Sequence, residues 1–325
     1  EGLGLSLYVL FVLQLFQYIS KEKTKHLAGT VCLALLLVNL RKQMLITLCL
    51  MAAVFVLYYL LRERRLRRLF FLFTLTVVVF FGSKLTDRLY NYWVRGAWIE
   101  HSGNSMGLLC TLIYTASWED GQLFSDETQK KIYEEIYGQA WQQGLNIAFA
   151  PEGWEELSTH YADSYDAIGY GIINPVIEEV VRAEGAVTEV DKALGYDRYC
   201  NALAKVLLSQ EKGDLLRVYI SNTLKGLINS VARMHPLLNF FALGAYGLYL
   251  GLYGWLWFKK RGERLSVLTF AEVVLGGIFI NSLVVGAMIF CQPRYMIYSM
   301  GLFYAALAWL VHTGIGELRK GRVQE

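Results

Sequence analysis

Charge is scarce in this chain. Only 18% of its 325 residues are Asp, Glu, Lys or Arg, against 55% hydrophobic, and the mean hydropathy is +0.34, which excludes an ordinary soluble domain of this length. Alternating strand patterns are missing too, as are internal repeats, low-complexity tracts and flexible linkers. The five cysteines lack metal-ligand spacing: Cys32 and Cys49 lie in apolar runs, Cys291 lies at the edge of one, and Cys110 and Cys200 lie in a polar stretch. The last two could pair in an oxidising compartment, but free thiols are the preferred reading. The acidic stretch WEDGQLFSDE lacks the ligand spacing of a calcium loop and reads as a turn followed by a helix start.

Long apolar runs are what the chain has instead. Seven can be read, at roughly residues 3–19, 27–40, 43–61, 69–84, 236–258, 265–290 and 294–313. The expected fold is an all-α, polytopic helical membrane protein with about seven transmembrane helices and a helical extracytoplasmic domain between the fourth and fifth. The second run is short for a crossing, which needs about 20 residues, and could be re-entrant or tilted. Basic clusters set the orientation. Lys21, Lys23 and Lys25, then Arg62, Arg64, Arg65, Arg67 and Arg68, then Lys259, Lys260, Arg261 and Arg264, then Arg319, Lys320 and Arg322 all fall on one side if all seven runs cross. The opposite short segments hold only Arg41, Lys42, Lys84 and Arg294. That places the chain in the plasma membrane, with residues 1–84 as helices one to four, 85–235 as the outward domain, and 236–325 as helices five to seven with a cytoplasmic tail.

The opening EGLGLSLYVL has neither a methionine nor the basic start of a signal peptide. It is expected to be the carboxy-terminal portion of a longer protein.

Between Asp87 and Arg233 stand 21 acidic and 12 basic residues, whereas the rest of the chain is basic. An acidic domain argues against nucleic acid, and basic loops need only anionic lipid as partner. Helix signals run throughout. Asp126 or a nearby Ser caps a helix that Gly144 ends, Asn174 with Pro175 opens another that Gly185 stops, and TEVD at 188–191 resembles a capping box. The stretch Asp214 to Pro236 is amphipathic enough to lie along a membrane. Tyr90, Tyr92, Trp93, Trp98, Tyr246, Tyr249, Tyr253, Trp255 and Trp257 cluster near run ends, where amphipathic rings prefer the interface.

In HYADSYD, His160, Asp163 and Asp166 share a helix face and could bind a metal or transfer protons; a solvated, hydrogen-bonded face is the plainer reading. No cofactor is expected, and a divalent metal is the one addition this trio leaves open. HSGNSMG, at 101–107, is a small-residue loop before the apolar MGLLCTLIY helix. Arg294 opens the last run behind Pro293, and a guanidinium there can hold phosphate oxygens in bidentate fashion. Arg41 and Lys42 sit in the other tight outward turn, so three basic residues at headgroup depth could form a phosphate site. Alternatively, each snorkels to lipid headgroups or to the acidic domain.

The segment QPRYMIYSMGLFYAALAWL, 292–310, resembles the final helix of many polyprenyl-phosphate-sugar-dependent membrane glycosyltransferases of the GT-C superfamily, in which an acidic or polar residue and then Arg-Tyr open a late crossing. The alternation of crossings with an outward domain is also similar, especially to bacterial members resembling protein O-mannosyltransferases. The resemblance implies transfer of a sugar from a lipid-linked phosphate donor to a cell-envelope acceptor, with Arg294 and Tyr295 as donor-phosphate contacts. It also implies a catalytic Asp or Glu in a first outward loop that this chain lacks, and so one upstream. Two other classes stay open. A transporter, flippase or polymer-handling protein would use ionisable residues inside the helices, with Glu272, Asn281 and His312 as candidates. A non-enzymatic envelope protein would bind through its outward domain.

Overall fold

The computed structural model describes residues 2–100, 105–261, 263 and 265–324, and these are helical, with no strand among them. Residues 101–104 of the HSGNSMG segment, Arg264 and the Arg322 side chain lie outside the described residues. The chain divides into two units: residues 1–86, 226–284 and 292–325 form the first, and 87–225 with 285–291 form the second.

In the first unit, α1 (Gly2–Lys21) packs against α2 (Thr24–Leu40). Their connection turns at Glu22, which takes a left-handed φ of 53°. Such a conformation costs a non-glycine residue on the order of 1 kcal/mol, and the Glu22 carboxylate is held in place by Arg68 at 2.5 Å and Arg65 at 3.4 Å. Thus two arginines of the densest basic cluster are partly neutralised within the protein. Helix α3 (Lys42–Arg62) opens in a 3-10 turn and closes in a π segment, Val56–Arg62. Helix α4 (Leu66–Arg95) has 30 residues, about 45 Å at 1.5 Å per residue, so it continues well past its apolar run. The polar region therefore begins inside a helix at Asp87 rather than after one.

Among the described residues, six helices are long and apolar enough to cross a membrane: α1, α3, α4 and the three that close the chain; Thr24–Leu40 is a shorter apolar helix. This is a membrane protein by the length and composition of those helices.

The second unit is built around α5 (Ser105–Thr115), in which every residue from Leu109 to Thr115 is buried. A helix apolar on all sides must be enclosed. At 11 residues it is too short to span a bilayer, so α6 (Glu127–Gln142), α7 (Trp154–Asp166) and α9 (Glu189–Leu207) surround it instead. Capping agrees with the sequence signals at two helices: Asp126 accepts from Gln129 N–H, and Thr188 and Asp191 form a reciprocal capping box. At Asn174 the expectation fails. Asn174 is not a cap, because α7 continues through a π segment, Ala167–Ile173, straight into α8 (Asn174–Ala183), which does carry Pro175 in its first turn. The π register already breaks the ordinary i to i−4 ladder, so a proline is tolerated without a new helix start. Asn174 instead accepts a short hydrogen bond from the Tyr196 hydroxyl. All five cysteines are thiols rather than disulfides, and Cys110, Cys200 and Cys291 are buried.

Helix α10 (Lys212–Asn229) has its amphipathicity turned inside out. Ser221, Asn222, Lys225 and Asn229 are buried, while Leu216, Ile220 and Leu224 form an exposed stripe at a spacing of four residues. In the first unit, α11 (Pro236–Lys259) and α12 (Ser266–Met288), whose residues from 285 on belong to the second unit, are followed by one helical turn at Pro293–Met296, a 3-10 turn at Ile297–Ser299 and α13 (Met300–Gln324). Three tyrosines of α11 do not anchor an interface as expected. Their hydroxyls donate inward, from Tyr246 to the Leu227 carbonyl, from Tyr249 to the Ala271 carbonyl and from Tyr253 to Glu272. A phenol buried among helices must find an acceptor, and each of these has one.

Candidate functional site

Two basic positions far apart in sequence come together in the first unit. The Arg41 guanidinium lies 5.0 Å from the centre of the Tyr295 ring, and that of Arg294 lies 4.9 Å from the same ring. Arg294 Nη2 also donates to the Tyr295 hydroxyl at 2.9 Å, and Arg41 Nη1 donates to the Tyr298 hydroxyl at 3.1 Å. Lys42 adjoins Arg41 at the start of α3, half-buried.

The ring is held from behind. The Tyr295 carbonyl accepts from Gln43 Nε2 at 2.9 Å and from Asn281 Nδ2 at 3.0 Å, tying the turn at Pro293–Met296 to α3 and to α12. Tyr298 packs edge-on against buried Tyr8 of α1, with centroids 6.0 Å apart. Four elements thus position two cations around one aromatic face. The attraction of each cation to the ring, about 0.5–2 kcal/mol, opposes their mutual repulsion. The Oε1 of Gln43 and the Oδ1 of Asn281 are buried acceptors that receive no hydrogen bond among the described residues.

Glu272, the acidic candidate for a transport path, is consumed by neighbours. Arg62 Nη2 pairs with it at 2.5 Å, and the hydroxyls of Tyr58 and Tyr253 donate to it at 2.8 and 2.5 Å. Asn281 stands nine residues further along α12, about 13 Å away by helix rise, and serves Tyr295 instead. His312 belongs to α13 and is half-buried. These three residues do not form one polar path.

The trio of α7 is split. His160 Nε2 donates to the Gly144 carbonyl at 3.2 Å, and Nδ1 shares a hydrogen bond with the Tyr114 hydroxyl at 2.8 Å. Asp163 and Asp166 are exposed. Both imidazole nitrogens are therefore committed, and among the described residues no three His, Cys, Asp or Glu side chains converge as a metal site.

Lys225 was not singled out by the sequence, although the polar stripe Ser221, Asn222, Lys225 and Asn229 in α10 was there to be read. Its side chain is buried, and Nζ donates to the Ser158 carbonyl at 3.0 Å. Burial lowers its pKa, and nearby Asp163 offsets this in part. The folded state therefore holds the proton less tightly than the unfolded chain. Stability should rise with pH between that lowered value and the ordinary 10.5. The buried tyrosines Tyr114, Tyr133 and Tyr161 have pKa values raised by burial, so they oppose the trend only above pH 10. The thermal midpoint of the full chain in detergent is expected to climb as the pH approaches 10 from below, and Lys225→Met is expected to flatten that climb. An unchanged slope in the variant would assign it to other groups.

No family model matches this chain, and no curated protein or solved structure is significantly similar to it.

Proposed function

We propose that this protein belongs to the machinery of lipid-linked glycosyl transfer, moving a sugar from a polyprenyl-phosphate donor to a cell-envelope acceptor at the outer face of the plasma membrane. The observation that carries the reading is the meeting of Arg41 and Arg294 on Tyr295. Two guanidiniums fixed around one ring provide a planar, multidentate seat for phosphate oxygens. In a partly dehydrated site such charge stabilises a lipid phosphate as it leaves. The alternative as a transporter draws little support from Glu272, because its charge is already matched by Arg62.

The orientation belongs to the same proposal. Helix α2, with 17 residues, covers about 26 Å, close to the hydrocarbon thickness, so a seventh crossing needs only modest snorkelling by its flanks. Seven crossings place every basic cluster in the cytoplasm and residues 87–225 outside. A reporter fused after Arg68 or Lys260 should then be cytoplasmic, and a protease site inserted at Gly121 should be cleaved in intact cells. Protection at Gly121 would reverse the orientation and remove the donor site from the outer face. The function itself is tested by transfer of labelled sugar from polyprenyl phosphate by the natural full-length protein and its Arg294 variants.

A further inference from the structure

The second unit contains a cleft of about 810 Å³ between the turn Trp118–Leu123, α6, the short turn Ile147–Phe149 and the start of α10. Its wall is aromatic and open. Trp118 is 58% exposed and Trp141 44% exposed, although both lie at the end of a row of rings that begins in the core. Along that row Phe124 stacks on Tyr133 at 5.0 Å, Tyr133 on Tyr137 at 5.8 Å and Tyr137 on Trp141 at 5.9 Å, the last pair at 29° between planes. Trp118 leans on Tyr137 at 5.8 Å, and Phe149 meets the edge of Trp141 at 4.8 Å. Two indoles held in place by such neighbours but left bare in a concave site are poorly explained by packing alone.

The walls are fixed before any ligand arrives. Asn146 is buried; its Nδ2 donates to the Ala116 carbonyl at 2.9 Å and its Oδ1 accepts from Ala148 N–H at 3.0 Å, so one side chain ties both flanking turns. The capping box between Ser117 and Asp120 sets the turn that presents Trp118. Around the rings stand Glu119, Glu152, Asp214 and Arg217, none of them in an ion pair among the described residues.

We propose that this cleft binds a segment of uncharged or amino-bearing oligosaccharide, its pyranose faces stacked on Trp118 and Trp141 and its hydroxyls bonded to the surrounding carboxylates and Arg217. A pyranose has an apolar face of C–H groups and a rim of hydroxyls. A flat indole beside carboxylates matches both, and the volume suits a ligand of a few rings. Three carboxylates to one guanidinium disfavour phosphorylated or other anionic ligands. The rings form a row rather than a box, which suits an extended chain of sugars better than a single quaternary ammonium. The inference does not depend on the donor site at Tyr295.

The test titrates the full chain, purified in detergent, with cellohexaose, maltohexaose and chitohexaose, following tryptophan fluorescence and calorimetry. At least one hexaose should bind saturably in the millimolar range or tighter. Both Trp118→Ala and Trp141→Ala should weaken it at least about tenfold, or about 1.4 kcal/mol. Trp118→Ala should keep a thermal midpoint near that of the parent, Trp141→Ala, which loses its contacts with Tyr137 and Phe149, should still unfold cooperatively, and Trp93→Ala, outside the cleft, should bind normally. The proposal fails if none of the hexaoses saturates, or if both cleft variants bind like the parent. It also fails if choline or a proline-rich peptide binds in a Trp141-dependent way more tightly than every hexaose.

Discussion

Replacing Arg294 by alanine is expected to lower sugar transfer by the full-length protein by about 10²- to 10³-fold, the loss typical when one preorganised group that stabilises developing charge is removed. Arg294→Lys should fall between the alanine variant and the parent. It keeps the charge but loses the planar fork, and a lysine cannot both donate to the Tyr295 hydroxyl and lie flat on its ring. Arg41→Ala should cost less, because Arg41 also spends a donor on Tyr298. The lipid-anchoring reading of Arg294 makes the opposite forecast: lysine snorkels about as well as arginine, and neither substitution should alter turnover. The measurement is initial rate with labelled polyprenyl-phosphate sugar at matched expression. Parent-like rates in both Arg294 variants would remove the phosphate seat, and with it the main support for a transferase.

Sign logic alone made Arg41 and Arg294 suspect, because each breaks the charge pattern of its neighbours. Nothing in their spacing could show that both would reach one tyrosine, since that depends on α3, α12 and the final turn packing together. Local chemistry was more legible. Asp126, the Thr188–Asp191 box, Gly144 and Gly185 each act within a few residues, and the last two take the left-handed φ of 69° and 88° that favours glycine at a helix end. Asn174 misled because a π segment, which has no short sequence signature, carries the helix past it. The tyrosines of α11 misled for a different reason. Their positions near a helix end fit an interfacial belt, but a phenol can equally serve a carbonyl inside a bundle, and only the neighbouring helices decide between the two. In α10, reading the apolar stripe as one face of an amphipathic helix was sound; what was missed is that its polar face is the buried one, where it does structural work.

That polar face sets the second large effect. Asn222→Ala is expected to destabilise the second unit by about 3–5 kcal/mol, because three backbone groups lose their partner at once and each orphan costs about 1–3 kcal/mol. Asn222 is fully buried; its Nδ2 donates to the carbonyls of Gly286 at 3.1 Å and Ile289 at 2.8 Å, and its Oδ1 accepts from Cys291 N–H at 2.8 Å. The last carbonyls of a helix have no partner within it, so this one side chain caps the end of α12 from a different helix. The segment has little room to compensate. Phe290 is buried against Tyr165 at 5.1 Å, and a Cβ added at Gly107 would stand 3.1 Å from the Met288 carbonyl oxygen. Asn222→Asp should be no better than alanine, since it keeps an acceptor for Cys291 but turns a carboxylate towards two carbonyl oxygens. Thermal unfolding in detergent would give the magnitude, and amide exchange would give the location, with Cys291 N–H losing protection in the alanine variant, which alone removes its acceptor. A loss below about 1 kcal/mol, within the range of an ordinary surface substitution, together with a still protected Cys291 amide, would show that the end of α12 is held by packing rather than by Asn222.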